Sequence, residues 1–255
     1  MFVSIIVPVF NGEHTLRACL DSLVAQDFPE GHYEILVVDN GSTDSTPAII
    51  DSYGPRVRGL TETRVRSSYA ARNTAIRASH GYILAFTDAD CIPDPKWLSL
   101  LVAGFADPTV GCVGGEVLAL DPSTPAERYG HRRGILRQAS SLKATYRPYF
   151  VTANVAYRRE VFDQIGLFQF GLETGGDVDM CWRLQEQTDW ELRLQSDASV
   201  LHHHRTGTRE LWRQYQRYGR GRTILRALYP DHPRTSYESP VESLRRLFRL
   251  ARHTG

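Results

Sequence analysis

Two carboxylates one residue apart are the first side chains in this sequence whose spacing suggests chemistry. Asp88 and Asp90 follow the apolar segment 81–86, which predicts a buried strand. Ligands of open α/β sheets gather where strands end at their carboxyl edge, and neighbouring carboxylates repel each other unless a cation lies between them. Carboxylate oxygens suit Mg²⁺ or Mn²⁺, so the pair predicts a divalent metal site. The alternative is a solvated turn in which one acid caps the helix that starts near Asp94.

Two further acids stand where predicted elements end or begin. Asp39 ends the predicted strand 33–38 and is followed by turn-forming residues, and its place at the end of a strand favours a contact with a nucleotide. Asp177 follows Gly175 and Gly176 at the start of a predicted helix, where the helix dipole keeps a carboxylate ionised. Asp177 is therefore a candidate general base, with helix capping as the alternative.

Three consecutive histidines, 202–204, follow a short predicted strand at 199–201. In an extended chain His202 and His204 point to one side and His203 to the other. Imidazole is a common metal ligand, so His202 and His204 are candidate ligands of the same cation. Surface placement of the cluster is the alternative.

The elements that must position these residues alternate between strands and helices. Apolar runs at 3–10, 33–38, 57–60 and 81–86 predict strands, and helical patterns separate them. This order favours a parallel sheet built with right-handed crossovers. Further strands are expected at 110–118 and 151–156. Between 121 and 147 the pattern weakens, and its arginines, Arg128, Arg132, Arg133 and Arg137, form either a solvated face or a surface for phosphate.

Composition indicates a globular protein with an uneven charge distribution. The 255 residues are 42% hydrophobic and 23% charged, which fits one large domain or a domain with an appendage. Residues 205–255 contain twelve arginines and four acids, a balance of +8, whereas the rest of the chain has a balance of −7. A predicted amphipathic helix at 241–252 either docks on the protein or lies on anionic lipid.

The remaining signals point to the cytoplasm. The four cysteines show neither metal-site nor disulfide spacing, which is typical of reduced thiols. No apolar run has the length of a membrane span, and the N-terminus lacks the pattern of a signal peptide. We therefore expect a cytoplasmic protein, with peripheral attachment to the inner face of the plasma membrane if the 241–252 helix binds lipid.

Taken together, the ordered motifs resemble the family 2 glycosyltransferases with the GT-A fold, over about residues 2–225. The matching segments are Ser4–Asn11, Val37–Asp44, Ala71–Asn73, Asp88–Asp90, Thr152–Ala156, Gly176–Arg183 and the histidines 202–204.

The resemblance implies an α/β fold of the GT-A, nucleotide-diphosphosugar transferase type. Its central sheet is expected to be mostly parallel and flanked by helices. We expect a catalytic domain at 1–205, with a nucleotide-sugar-binding half at 1–118 and an acceptor half at 119–205. A basic helical C-terminal extension at 206–255 would follow.

The resemblance also implies roles for individual residues. The nucleotide would be bound by Pro8, Val9, Phe10, Asn11, Asp39, Arg72, Asp88 and Ala89. Asp90 would carry Mn²⁺ or Mg²⁺ on the diphosphate, and Asp177 would be the catalytic base. The family often has Glu-Asp where this chain has Gly176-Asp177, so Glu173 or Asp179 is expected to orient the acceptor instead. Asn154 and Trp182 complete the expected acceptor contacts.

The implied reaction is inverting transfer of a sugar, with a UDP-sugar favoured, to a hydroxyl of a glycan or a lipid-linked acceptor. The proposed setting is cell-surface polysaccharide synthesis. Displacement at an anomeric carbon passes through an oxocarbenium-like state and needs one base and stabilisation of a departing diphosphate. Those needs fit a carboxylate and a carboxylate-bound metal.

Two other functions remain open from the residues. A metal-dependent nucleotidyltransferase also uses acids at strand ends, but the segment 11–13 is not a glycine-rich, lysine-bearing phosphate loop. Nucleic-acid binding through the arginine-rich tail is a weaker alternative because no known motif accompanies it. We expect no nucleic-acid partner.

Overall fold

The structure, a computed structural model, describes residues 1–144 and 146–231. Its strands are β1 (Val3–Val9), β2 (Tyr33–Asp39), β3 (Arg58–Thr61), β4 (Ile83–Thr87), β5 (Cys91–Pro93), β6 (Val110–Ala119), β7 (Asn154–Arg158) and β8 (Glu191–His202). Its α-helices are α1 (Leu16–Val24), α2 (Thr46–Asp51), α3 (Ser68–Ala78), α4 (Trp97–Ala103), α5 (Pro125–Arg132), α6 (Gln138–Ser141), α7 (Arg159–Ile165), α8 (Gly176–Gln187) and α9 (Thr208–Leu228).

The described strands form one sheet in the order β3-β2-β1-β4-β7-β6-β8-β5. The first four are parallel, as the alternating strands and helices predicted. The second half is mixed, because β7 is antiparallel to both β4 and β6, and β5 is antiparallel to β8. The expected α/β fold with flanking helices is confirmed. The sheet is more evenly mixed than expected, with four parallel and three antiparallel pairings.

Both faces of the sheet are covered, which explains why its central strands read as continuous apolar runs. All seven residues of β1 are buried. Its odd-numbered residues pack against α1, α2 and α4 in one hydrophobic cluster. Ile6 lies on the other face, in the cluster formed with α3, α7 and α8.

Two strands differ from the sequence-based expectation, and both matter for the site. β8 is twelve residues long, although only its last residues were apolar enough to be recognised. β5 follows the two aspartates directly and pairs with the end of β8, so that Cys91 lies opposite His202. Pro93 is tolerated because β5 is an edge strand of the sheet, where a missing amide donor costs little.

The basic tail begins with a helix that packs on the rest of the fold. In α9, Leu211 and Leu225 are buried, and the ring of Tyr215 lies 6.3 Å from that of Tyr129 on α5. The predicted helix at 241–252 lies outside the described residues. Among the residues that are described, no helix is both long and apolar enough to span a bilayer.

Candidate active site

The ends of β1 and β2 form the first wall of the site. Val9 is in register with Asp39, and the loops that follow the two strands are tied together by hydrogen bonds. Asn11 Oδ1 accepts from the amide of Thr43 at 2.9 Å, and Asp39 Oδ1 accepts from the amide of Ser42 at 3.0 Å. Asn11 has φ of 49°, which asparagine tolerates better than most residues.

The residues of this wall that were expected to bind the nucleotide differ in how far their side chains are exposed. Pro8 and Val9 are buried in β1. Phe10 is 42% exposed, and the guanidinium of Arg66 lies 4.4 Å from its ring centre. Phe10 and Asn11 are therefore the exposed residues of this group, whereas Asp39 is buried at the carboxyl end of β2.

Asp88 is paired with Arg72, and the pair joins β4 to α3. Arg72 Nη2 donates to Asp88 Oδ1, and the side chain of Arg72 is only 3% exposed. Burial raises the pKa of Asp88, and the Arg72 charge opposes that rise. The Nε atom of Arg72 is buried and has no hydrogen-bond partner among the described residues. An unsatisfied guanidinium N–H here is what a site that binds a ligand oxygen would show.

Asp90 lies near the end of β8, whereas Asp88 pairs with Arg72. Its Oδ1 lies 3.5 Å from His202 Nε2, and its Oδ2 lies 3.9 Å from a guanidinium nitrogen of Arg205. His202 is buried, and its Nδ1 lies 3.3 Å from Nδ1 of His204. Ala89, between the two acids, packs against the core.

The donor set around Asp90 fits a divalent cation. Ligand atoms of Asp90, Cys91 and His202 lie within 4.8 Å of one another. Carboxylate oxygen and imidazole nitrogen suit Mn²⁺, and the carboxylate also suits Mg²⁺, whereas a thiol is a soft ligand that suits neither. Asp90 and His202 are therefore the residues that would hold the metal, while His204 contacts His202 and is not one of these three residues.

Asp177 lies at the start of α8, as its sequence position predicted. Gly175, with φ of 87°, turns the chain into the helix. Oδ1 of Asp177 accepts from the amide of Val178 at 3.0 Å and from the hydroxyl of Tyr69 at 3.3 Å. Burial raises the pKa of Asp177, while the charge of Arg72 and the Val178 amide lower it.

Tyr69 is a site residue that sequence reasoning did not identify. It lies on α3 one turn before Arg72, and the guanidinium of Arg72 lies 5.6 Å from its ring centre. A Cβ on Gly176 would come within 2.8 Å of this ring, so glycine is needed there for Tyr69 to reach Asp177. The available signal was the i, i+3 spacing of Tyr69 and Arg72, which places both on one helix face. Arg205 and Cys91, both beside Asp90, were missed as well.

Beside Asp177 the structure contains a cavity of about 660 Å³. Its walls come from the segments 133–144 and 146–151, the start of α8 and one face of α9. This volume is within the range of small-molecule binding sites. Trp182, an expected acceptor residue, lines the cavity, and its indole N–H donates to the carbonyl of Arg147 at 3.1 Å.

Two expected acceptor residues lie where an acceptor cannot reach them. Asn154 is fully buried, accepts from the indole of Trp97, and donates to the carbonyls of Glu116 and Ala198. Asp179 is 1% exposed and is bound by Arg183 and by the Tyr229 hydroxyl.

The hydrogen-bonding atoms of Asn154 and Asp179 are thus engaged in joining elements of the fold, and we correct their expected role to a structural one. The remaining candidate, Glu173, lies at the surface. It forms a bidentate ion pair with Arg220 of α9, whose Nε and Nη2 donate to the two carboxylate oxygens at 2.9 and 3.0 Å.

Comparison with known proteins places this arrangement in context. A family model described as Glycosyl transferase family 2 matches residues 4–166, which include Asp39, Arg72, Asp88 and Asp90. Glycosyltransferase AglE of Haloferax volcanii is 36% identical over 225 residues, covering 86% of this chain and 72% of that protein. Pre-mycofactocin glycosyltransferase of Mycobacterium tuberculosis is 31% identical over 237 residues. That match covers 90% of this chain but only 48% of the relative, so the chain spans about half of its length.

Solved structures give the same result for the fold. Mannosyltransferase PcManGT from Pyrobaculum calidifontis, solved with GDP-Man and Mn²⁺, has a TM-score of 0.67 at 25% identity. The match covers 93% of this chain and 66% of that one. Glucosyl-3-phosphoglycerate synthase from Mycobacterium tuberculosis has a TM-score of 0.62 at 20% identity, covering 89% and 79% of the two chains. It was solved with Mn²⁺, UDP-Glc and glycerol 3-phosphate.

Proposed function

Because the chain belongs to glycosyl transferase family 2, and is therefore a glycosyltransferase, we propose that it transfers a sugar with inversion. The donor would be a nucleotide-diphosphate sugar, with UDP favoured, and the acceptor a hydroxyl of a glycan or a lipid-linked molecule. Family membership decides against the nucleotidyltransferase alternative. The finer assignments rest on the geometry of the candidate site.

The observation that carries the proposal is a chain of contacts from the candidate catalytic base, Asp177, to Asp88, which is expected to bind the nucleotide. Tyr69 contacts Asp177, Arg72 lies against the ring of Tyr69, and Arg72 binds Asp88. A donor that reaches Asp88 with its nucleotide therefore presents its sugar toward Asp177. The cavity that Asp177 lines leaves room for the acceptor.

In the proposed reaction Asp177 takes the proton from the acceptor hydroxyl. The acceptor oxygen forms its bond to the anomeric carbon as the bond from that carbon to the diphosphate oxygen breaks, and the diphosphate leaves with the electron pair. A single carboxylate suffices because inversion needs no covalent nucleophile. The Tyr69 hydroxyl and the Val178 amide hold the carboxylate in one orientation.

The leaving diphosphate needs positive charge. Mn²⁺ or Mg²⁺, held by Asp90 and His202, would neutralise the charge that grows on the diphosphate. Arg205 adds a cation near the other carboxylate oxygen of Asp90. Arg72 offers its unpartnered Nε–H to an oxygen of the nucleotide.

A donor screen tests the proposal. UDP-, GDP- and dTDP-sugars are added with Mn²⁺, and the melting temperature and the release of nucleoside diphosphate are measured. We expect one nucleotide to raise the melting temperature only when metal is present, and EDTA to abolish transfer. Full activity in chelator would overturn the metal assignment, and no response to any nucleotide sugar would overturn the proposal.

The base is tested separately with Asp177→Asn. We expect kcat to fall by about two or more orders of magnitude while the donor Kd stays nearly unchanged. The product of an α-linked donor should be β-linked, and the reverse for a β-linked donor. A collapse of donor affinity instead would make Asp177 a binding residue.

A further inference from the structure

The cavity beside Asp177 is strongly basic. Arg133, Arg137 and Lys143 lie on one of its walls, and Arg222 and Arg226 of α9 on another. Among the described residues that line it, Asp177 is the one acid. Positive side chains from the segment 133–143 and from α9, about 80 residues apart in sequence, therefore line the same space together with a single carboxylate.

The counter-charges of two of these groups are not supplied by the described part of the chain. Arg137 has a partner, since its Nε lies 3.8 Å from Glu116. The described residues place no carboxylate within ion-pair distance of Arg133 or Lys143, both of which are exposed. Like charges gathered in a concave site attract and concentrate anions, because the low-dielectric walls focus the field.

The positive charge lies in the space next to the proposed base and not next to the proposed metal ligands. The metal ligands Asp90 and His202 are not among the residues that line the cavity, whereas Asp177 is. An anion bound by Arg133 and Lys143 thus shares its space with the group that removes the acceptor's proton. Several arginines and a lysine around one space suit a dianionic phosphate better than a single carboxylate.

We propose that the acceptor carries a phosphate or diphosphate group, which binds in this cavity through Arg133 and Lys143 while the acceptor hydroxyl lies at Asp177. This inference rests on the proposed function and names the acceptor's chemical class. A phosphorylated soluble sugar or polyol and a prenyl-diphosphate-linked sugar share this chemistry.

Binding measurements test the inference without requiring turnover. Glycerol 3-phosphate and geranyl diphosphate are titrated by calorimetry, with glycerol and geraniol as uncharged counterparts. The nucleotide site is kept filled with the nucleoside diphosphate and metal that respond in the donor screen. Glucuronate serves as the carboxylate probe.

The chain offers matched variants for this experiment. The double variant Arg133→Ala, Lys143→Ala removes two exposed charges from the cavity. The control Arg132→Ala, Lys96→Ala removes an exposed arginine and the other lysine of the chain, neither of which lines the cavity. Arg137 is left intact because it pairs with Glu116.

We expect both phosphate probes to bind the unmodified protein and the control, and to bind the cavity variant about tenfold more weakly. Nucleotide affinity should be the same in all three proteins. Much tighter binding of geranyl diphosphate than of glycerol 3-phosphate would identify a lipid-linked source, and similar binding a soluble one.

Equal weakening in the control, no binding to the unmodified protein, or equally tight binding of glucuronate would overturn the inference. Failure of the proposed function is a separate result. If no nucleotide sugar binds or reacts, that function fails, and the same titration without nucleotide still shows whether the cavity selects phosphate.

Discussion

At the residue scale, the proposed base Asp177 lies in an environment that is unfavourable for its charge. Burial raises the pKa of its carboxyl, and the nearby charge of Asp88 acts in the same direction. The amide of Val178 and the charge of Arg72 oppose this, but the net shift is upward. A carboxylate with a raised pKa is a stronger base, which suits proton removal, and it also destabilises the fold when ionised.

We therefore predict that Asp177→Asn raises the melting temperature at about pH 7. The native carboxyl binds its proton more tightly than the unfolded one, so the penalty is absent below the unfolded pKa and is complete above the folded pKa. The gain from the substitution should shrink as the pH falls toward about 4. Each kcal/mol relieved corresponds to about 2–4 °C for a chain of this size.

Scanning calorimetry of both proteins across this pH range provides the measurement. A variant that is less stable at neutral pH would show that the carboxylate is favoured by its surroundings. The same raised pKa predicts that kcat of the unmodified enzyme falls as the pH decreases, with a midpoint above the ordinary value for aspartate.

The histidines lead to a second prediction at this scale. His202 is buried with Nε2 toward Asp90, whereas the backbone amide of His203 donates to the carbonyl of Asp90. His202→Ala should therefore raise the Mn²⁺ concentration needed for half-maximal nucleotide binding by about tenfold or more, because it removes a proposed metal ligand. His203→Ala, which keeps the backbone contact, should leave it nearly unchanged. The opposite ranking in a metal titration would refute the assignment of His202 as a ligand.

At the scale of elements, the contact between α9 and the loop before α8 closes the cavity beside Asp177. Gly221 of α9 lies against Thr174, and a Cβ there would come 2.5 Å from its Cγ2 and 2.7 Å from its carbonyl oxygen. Leu225 packs on Gly175, and Arg220 binds Glu173. Since Arg220 and Glu173 are largely exposed, packing contributes more than the ion pair to holding the helix.

We predict that Gly221→Ala destabilises the protein by about 1–3 kcal/mol, because the new methyl group pushes α9 away from the backbone of Thr174. Transfer activity should fall with it, since α9 forms one wall of the cavity beside Asp177. Thermal unfolding and initial rates measure the two effects.

Gly219 provides the matched control on the same helix. No described atom lies within 4 Å of the position that a Cβ would take there, so the methyl group of Gly219→Ala meets open space. We expect this substitution to stabilise the protein by about 0.5–1 kcal/mol, because alanine loses less backbone entropy than glycine in a helix. If both substitutions behaved alike, close packing of α9 would not be the reason for Gly221.

At the scale of the whole molecule, the separation of charge along the chain suggests that the basic C-terminal segment would face an anionic membrane. Residues 205–255 have a net charge of +8, whereas the rest of the chain has a net charge of −7. Part of this charge has a function within the fold, as Arg205 lies at Asp90 and Arg220 at Glu173. The remaining arginines include Arg245, Arg246, Arg249 and Arg252, outside the described residues.

We predict that the full chain binds vesicles of anionic lipid at low salt and is released at high salt. Each arginine near the surface contributes about 1 kcal/mol, and that attraction is screened by salt. A version ending at Pro240 should bind less, because it lacks the apolar residues Leu244, Leu247 and Phe248. Co-sedimentation measures both. Equal binding by the two versions would exclude the segment after Pro240 as the anchor.

The sequence by itself determined the α/β class, the acids at the strand ends and the family. Apolar runs such as that of β1 are local signals, and they place Asp39 at the end of β2 and Asp88 directly after β4 without any knowledge of the sheet order. The glycines before Asp177 likewise mark the start of α8. These features depend on neighbours within a few residues along the chain, where backbone preferences act.

Only the tertiary structure decided which of these residues meet. Tyr69 and Asp177 are 108 residues apart and touch because α3 and α8 pack on the same face of the sheet. His202 reaches Asp90 because β8 pairs with β5, and α9 closes the cavity because a glycine lets it approach. Asn154 and Asp179 have the same polar chemistry as a binding residue, but packing buries them. Contacts between distant segments follow from strand order and from the volumes of side chains across the whole core, which local spacing does not specify.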